Sequence, residues 1–348
     1  MNAIVSNSQE ITIAQAKGFA AELIKLDMPG WVWGSPGIGK SEIYAQIARE
    51  LDYNMTEIRL SLFDPVDLRG LPVPDMERRV TEWLRPQIWP ILGAKKPTLI
   101  FFDEMDRALA SVSNAALQIV LGKQIGEHVL PPETRIAAAG NGESDRVGTN
   151  KISAAQANRF THLYARADTK TTADYLASIG VHPAMVAFIR FRGEPDLANN
   201  RVGLIQTKPA AGKHAFASPR AWEKCAKFFP LPLEMRFPLM AGTVGHAEAI
   251  ECNAFLESYA ALAGLMNSIL SSPATADIPS EPSLLYAVAA ALSGKADFNT
   301  WAAISTYAAR LPDEWQICTV LDAVRRMPAL KNTAQYGAWA VNNQAVAL

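Results

Sequence analysis

The chain has 348 residues, of which 49% are hydrophobic and 19% charged, and a formal net charge of −1. These values exclude a disordered chain and argue against a strongly basic nucleic-acid-binding surface, and the length suffices for two or three domains with substantial cores. The three cysteines, Cys225, Cys252 and Cys318, are odd in number and lack metal-ligand spacing, which reads as thiols in a reducing compartment. The segment Met1–Asn7 has neither a basic start nor an apolar core of the signal-peptide kind. No apolar run reaches the roughly 18 residues needed to cross a bilayer, so a soluble cytoplasmic protein without membrane contact is expected.

In chain order, Thr12–Leu26 reads as a helix. The turn pair Pro29-Gly30 and the short apolar strand Trp31-Val32-Trp33 follow it. Next comes Gly34-Ser35-Pro36-Gly37-Ile38-Gly39-Lys40-Ser41, which fits the phosphate-loop pattern G-x-x-x-x-G-K-[ST] at every fixed position. The apolar spacing of Glu42–Leu51 is helical, so the order is strand, Gly-rich loop, helix. In such a loop the glycines let backbone N–H groups face phosphate oxygens, and the helix N-terminus adds positive partial charge. Lys40 supplies a point charge and the Ser41 hydroxyl a ligand for Mg²⁺. An ordinary Gly-Pro turn would not call for Gly39-Lys40-Ser41.

Glu57–Leu62 reads as a second strand, Phe63–Pro72 as a charged loop rich in turn residues, and Arg78–Leu84 as a short hairpin arm. Thr98–Phe102 is a continuous apolar run, the mark of a strand buried on both faces, and it ends in Asp103 and Glu104. On their own these two carboxylates suit a solvated acidic turn. Behind a phosphate loop they suit a hydrolytic site, with Asp103 holding Mg²⁺ and Glu104 polarising water. Ser113–Leu121 is helical, and Arg135–Ala139 and Thr161–Ala165 are further strands. Alternating strands and helices up to Arg166 predict a mostly parallel α/β sheet flanked by helices.

Three more residues are candidates. Asn141 follows the Arg135–Ala139 strand, where its amide could orient water or touch a γ-phosphate; a Gly-flanked turn is the plainer reading. Arg159 precedes the last strand and could reach a neighbouring subunit's nucleotide, or else pair with a surface carboxylate. Arg220 lies in Ser218-Pro219-Arg220, a helix start with Ser as N-cap and Pro at the first position, a place mildly unfavourable for a cation.

Together these features resemble the AAA+ ATPases, and within them the MoxR family, over about residues 10–260. Asp103-Glu104-Met105-Asp106-Arg107-Ala108 looks like that family's acidic motif, although the family more often has Asn where this chain has Asp106. Asn114–Gln118 followed by Gln124–Pro132 is similar to its helix with an inserted hairpin, and Asp64–Gly70 to its loop after the second strand. The resemblance implies a P-loop NTPase domain over 1–166, a helical lid over 167–265 and a helical C-terminal extension over 266–348. It also implies Walker A at Gly34–Ser41, Walker B at Asp103 and Glu104, sensor 1 at Asn141, the arginine finger at Arg159 and sensor 2 at Arg220. Arg146 competes with Arg159 for the finger. ATP and Mg²⁺ are the implied ligands, favoured further because no guanine-reading Asn-Lys-x-Asp occurs. Members form rings, usually hexamers, and many act beside a VWA-domain partner to remodel or activate a client. A nucleic-acid motor and an ATP-gated scaffold are the alternatives; the first finds no basic run or aromatic-basic interleaving.

Overall fold

The computed structural model describes residues 10–141, 152–193 and 203–344. The chain divides after Arg166 into two compact units. In the first, helix α1 (Ile13–Lys25) is preceded by the two-residue strand β1 (Ile11–Thr12). A capping box starts α1: Thr12 Oγ1 accepts from the Gln15 amide at 3.2 Å, and Gln15 Oε1 accepts from the Thr12 amide at 2.9 Å. Then follow β2 (Gly30–Trp33), α2 (Lys40–Glu50), β3 (Asn54–Arg59), α3 (Pro65–Arg69) and the strands β4 (Leu71–Asp75) and β5 (Val80–Leu84). They are succeeded by β6 (Thr98–Asp103), α4 (Ala110–Gly122), β7 (Gln124–Ile125), β8 (His128–Val129), β9 (Arg135–Gly140), α5 (Ala154–Ala157) and β10 (Thr161–Arg166).

Six strands form one parallel sheet in the order β1-β10-β2-β9-β6-β3. This is the predicted fold class, a P-loop-type α/β sheet flanked by helices and followed by helices alone. Strand β6, between β9 and β3, shows why: Leu99, Ile100, Phe101 and Phe102 are all fully buried. Their side chains alternate between faces. On one face the Phe101 ring lies 4.8 Å from that of Tyr44 in α2. On the other, Ile100 and Phe102 share a core with Trp31, Trp33 and the α4 residues Val112 and Ala116.

Two predicted boundaries move. The second strand occupies 54–59 rather than 57–62, because the chain leaves the sheet after Arg59, level with Asp103, and Leu60–Leu62 form a 3-10 turn. The predicted arm at 78–84 is one half of an antiparallel hairpin whose other strand is Leu71–Asp75. Pro72 and Pro74 concealed that strand; a two-stranded ribbon tolerates them because both its strands are edges.

The described elements of the second unit are helices: α6 (Thr169–Ser178), α7 (Pro183–Arg192), α8 (Pro219–Ala226), α9 (Leu233–Val244), α10 (His246–Ala261), α11 (Ala263–Ser271), α12 (Pro282–Lys295), α13 (Trp301–Ala308), α14 (Asp313–Arg326) and α15 (Ala334–Asn342), with a 3-10 turn at Pro328–Asn332. One core spans them, joining Phe188, Trp222 and Phe255 to Leu285, Trp301 and Tyr307, and so runs across the 265/266 boundary. A half-buried ion cluster does the same. Arg190 binds Asp322, and its Nη2 lies 2.8 Å from Asp174 Oδ1, which also accepts from Arg325 Nη1 at 2.8 Å. Cys225 and Cys252 are buried, Cys318 is partly so, and none is in a disulfide. Among the described residues, no helix is long and apolar enough to cross a membrane.

Gly140 ends β9 in a tight enclosure: a Cβ there would lie 2.8 Å from Trp33 Cζ3, 2.9 Å from Trp31 Nε1 and 3.0 Å from Asp106 Oδ1. Gly140→Ala is therefore expected to lower stability by about 1–3 kcal/mol through overpacking, measurable as a lower urea midpoint with an unchanged slope.

Candidate active site

The phosphate loop leaves β2 between its two parallel neighbours, β9 and β10. A Cβ on Gly34 would meet the Ala165 carbonyl at 2.4 Å and Ile38 Cδ1 at 2.5 Å, so only glycine fits. Gly37 and Gly39 have φ of 80° and 103°, in the left-handed region that glycine adopts without a steric cost. Gly39 is the N-cap of α2 and no side chain caps that helix. Its first-turn N–H groups thus face the loop, where an anion would be welcome.

Lys40, the first residue of α2, is 8% exposed. Its ammonium donates to the Gly34 carbonyl at 2.6 Å, the Ser35 carbonyl at 3.1 Å and Asn141 Oδ1 at 3.2 Å. Asn141 directly follows β9 and is itself buried. Ser41 Oγ donates to Asp103 Oδ2 at 3.4 Å, across from the end of β6. The sequence-predicted residues Lys40, Ser41, Asp103, Glu104 and Asn141 are thereby gathered at the carboxyl ends of three adjacent strands, the place where open parallel sheets bind ligands.

Burial raises the Asp103 carboxyl above the usual carboxylate range, and the Glu57 and Glu104 charges push the same way. The Glu104 N–H, which donates to Asp103 Oδ1 at 3.0 Å, and the Lys40 charge oppose the rise. A cation beside Asp103 would restore its charged form. An oxygen pair, Ser41 Oγ with Asp103 Oδ2, is the hard donor set that Mg²⁺ takes, with phosphate oxygens and water completing its shell. The residues therefore fit both a phosphate chain and Mg²⁺. Among the described residues, no three His, Cys, Asp or Glu side chains gather as an alternative metal site.

Glu104 has left-handed backbone angles, φ 52° and ψ 34°, which turn the chain off the strand end. Its Oε2 accepts a short hydrogen bond from Ser61 Oγ. Ser61 was not marked by the sequence, nor was Arg59, whose Nε sits 3.1 Å from Glu57 Oε1 and 4.0 Å from Asp103 Oδ2. Arg59 ends β3 and Ser61 lies in the 3-10 turn after it, and no local pattern signals that β3 lies beside β6. Asp106, 3% exposed, is a further one. Among the described residues neither of its carboxylate oxygens closes a well-aligned hydrogen bond, and the nearby Trp31 Nε1 is equally without an acceptor there. Burial raises its pKa, opposed by the facing Asn141 N–H. A bridging water would satisfy both groups.

Arg159 is half-buried just before β10 and has no side-chain partner among the described residues. Arg220 is exposed in the first turn of α8, where Ser218 Oγ accepts from the Ala221 amide at 3.2 Å and Pro219 takes the first helical position, as predicted. Arg146 lies outside the described residues.

Residues 31–162 match the profile of the family described as ATPase family associated with various cellular activities (AAA). This part of the chain is an AAA ATPase domain. Its phosphate loop, Lys40 and the Asp103-Glu104 pair all fall within the matched span. No curated protein matches the sequence. Among solved structures, the chain is similar to a protein of Cytophaga hutchinsonii described as a putative ATPase (12% identity, 97% of this chain and 90% of that one, TM-score 0.39). It is also similar to the Thermotoga maritima RuvB Holliday junction branch migration motor (16% identity, 85% and 86%, TM-score 0.36). A third is NtrX from Brucella abortus in complex with ADP (11% identity, 77% and 69%, TM-score 0.36).

In this AAA domain the Lys40 ammonium joins the loop to Asn141. Lys40→Ala is expected to weaken nucleotide binding about 10–100-fold, as the loss of charge-assisted hydrogen bonds would, in a fluorescent-nucleotide titration.

Proposed function

We propose that the protein is a MoxR-type AAA+ ATPase that hydrolyses Mg-ATP at the subunit interfaces of a homo-oligomeric ring, a hexamer by family resemblance. The work of the ring would be to remodel or activate a partner protein in the cytoplasm, together with a VWA-domain protein. The observation that carries this reading is the convergence of Lys40, Ser41, Asp103 and Asn141 through direct contacts, with Glu104 next to Asp103.

The roles follow from the chemistry of each group. The uncapped first turn of α2 and the Lys40 ammonium bind and orient phosphate oxygens. Ser41 and Asp103 would hold Mg²⁺, which would neutralise charge on the phosphate oxygens. Glu104 accepts the proton of the attacking water, a task for which it must first exchange its hydrogen bond from Ser61. Asn141, held 3.2 Å from Lys40 Nζ, orients that water or the terminal phosphate. Arg159 is a half-buried guanidinium with no partner among the described residues of its own chain, which supports a role on a neighbouring copy's nucleotide. By the same resemblance Arg220 is the proposed sensor 2 residue.

Glu104→Gln is expected to lower kcat about 10²–10⁴-fold while ATP binding persists, read by steady-state phosphate release and nucleotide titration; an unchanged rate would remove Glu104 from its role. Arg159→Ala should lower kcat about 10³-fold in the assembled protein. Light scattering with and without ATP tests the assembly, and a strict monomer in all conditions would defeat the interface reading. Stimulation of turnover by DNA at moderate salt would instead favour a nucleic-acid motor.

A further inference from the structure

Two indoles and an imidazole join the strand that ends in the phosphate loop to the turn that carries Arg159. β2 and β10 run parallel, with Trp31 opposite His162 and Trp33 opposite Tyr164. Trp31 and Trp33 project from one face of β2 and stack, with ring centroids 4.4 Å apart. Phe160 meets Trp31 edge-on at 5.0 Å. Trp33 Nε1 donates to His162 Nδ1 at 2.8 Å, and His162 Nε2 lies 2.8 Å from the Ala157 carbonyl. An indole N–H can only donate and a carbonyl can only accept. Both bonds are therefore made by one form of the ring alone, the neutral imidazole protonated on Nε2.

Arg159 falls between these two anchor points, two residues after Ala157 and one before Phe160. The turn is braced from α4 as well: Gln156 Nε2 donates to Ser113 Oγ, and Gln156 forms a capping box with Ser153. That brace ties the turn to the helical layer. Beside the β2–β10 backbone ladder, a side-chain tie to the nucleotide end of the sheet runs through His162, because Trp33 is followed directly by Gly34, whose carbonyl receives the Lys40 ammonium at 2.6 Å.

We infer that His162 is a positioning residue whose two hydrogen bonds hold the Arg159 turn in step with the phosphate loop of the same subunit, so that the arginine offered to the next subunit follows the state of that loop. This rests on the assignment of Arg159 as a finger. It places the coupling in a contiguous set of contacts, and a coupling of that kind is established only by non-additive mutational effects.

The experiment is steady-state ATP hydrolysis by the full chain in four forms, His162→Phe, His162→Gln, Arg159→Ala and the His162→Phe/Arg159→Ala double variant, each checked by thermal melting. His162→Phe removes both hydrogen bonds and is expected to lower kcat about tenfold, with KM for ATP within about twofold. His162→Gln offers one acceptor and one donor side by side and should keep kcat within about threefold of the parent. In the Arg159→Ala background, His162→Phe should cost less than about twofold, since the group it positions is gone. A full tenfold loss in that background, a loss carried by KM, or a Gln variant no better than Phe would each overturn the inference. Arg159→Ala that leaves kcat unchanged would overturn the finger assignment itself, and the inference with it. Should His162→Phe not fold, Trp33→Phe deletes the same indole donor and takes its place in both backgrounds.

Discussion

One ammonium group organises the catalytic end of this molecule. The Lys40 side chain is almost fully buried, and a buried charge must be surrounded by partners. It takes two carbonyls of its own loop and the amide oxygen of Asn141 from the next strand. The loop can offer those carbonyls only because Gly34 lies against the Ala165 backbone, where no side chain fits, and because Gly37 and Gly39 accept left-handed angles. The parallel pairing of β2 with β9 and β10 is what brings all of this to one place. Charge, glycine geometry and strand order are thus a single constraint.

The carboxylate side of the site is built on the opposite principle. Asp103 ends a strand whose preceding four residues are fully buried and Glu104 follows it, so the acidic pair emerges from an apolar part of the sheet. Burial holds the Asp103 carboxyl above its usual range, and each compensating contact, from the Glu104 N–H to Lys40, is partial. Such a group gains most from a cation, which is the physical reason for placing Mg²⁺ there. Asp106 lies deeper, without a well-aligned hydrogen bond among the described residues, and its carboxylate shares its enclosure with Trp31 and Gly140.

How much of this was legible in the sequence depends on the range over which each feature is encoded. The phosphate loop and the β6 run are local: their glycines and unbroken apolar residues announce them. The strand β1 is two residues long and carries no periodicity. β3 was displaced because Leu60 continues the apolar alternation after the chain has left the sheet. Ser61, Arg59 and His162 escaped notice for another reason. A serine, an arginine and a histidine in strand-like surroundings look alike whether or not a partner waits across the sheet, and their partners Glu104, Asp103 and Trp33 lie far away in sequence. The continuous core of the second unit is hidden in the same way, since Leu285, Trp301 and Tyr307 pack with Phe188 and Trp222 from far along the sequence.

The cysteines have a practical consequence. Burial pushes the Cys225 thiol up to about 12 and raises Cys252 and Cys318 as well, so at neutral pH very little thiolate is present at any of the three. Cys225 and Cys252 are also buried, so maleimide and iodoacetamide reagents are expected to react slowly with these two in the native protein. A cysteine introduced on an exposed turn of a chain in which the partly buried Cys318 is replaced would therefore be a selective point for attaching spectroscopic reporters.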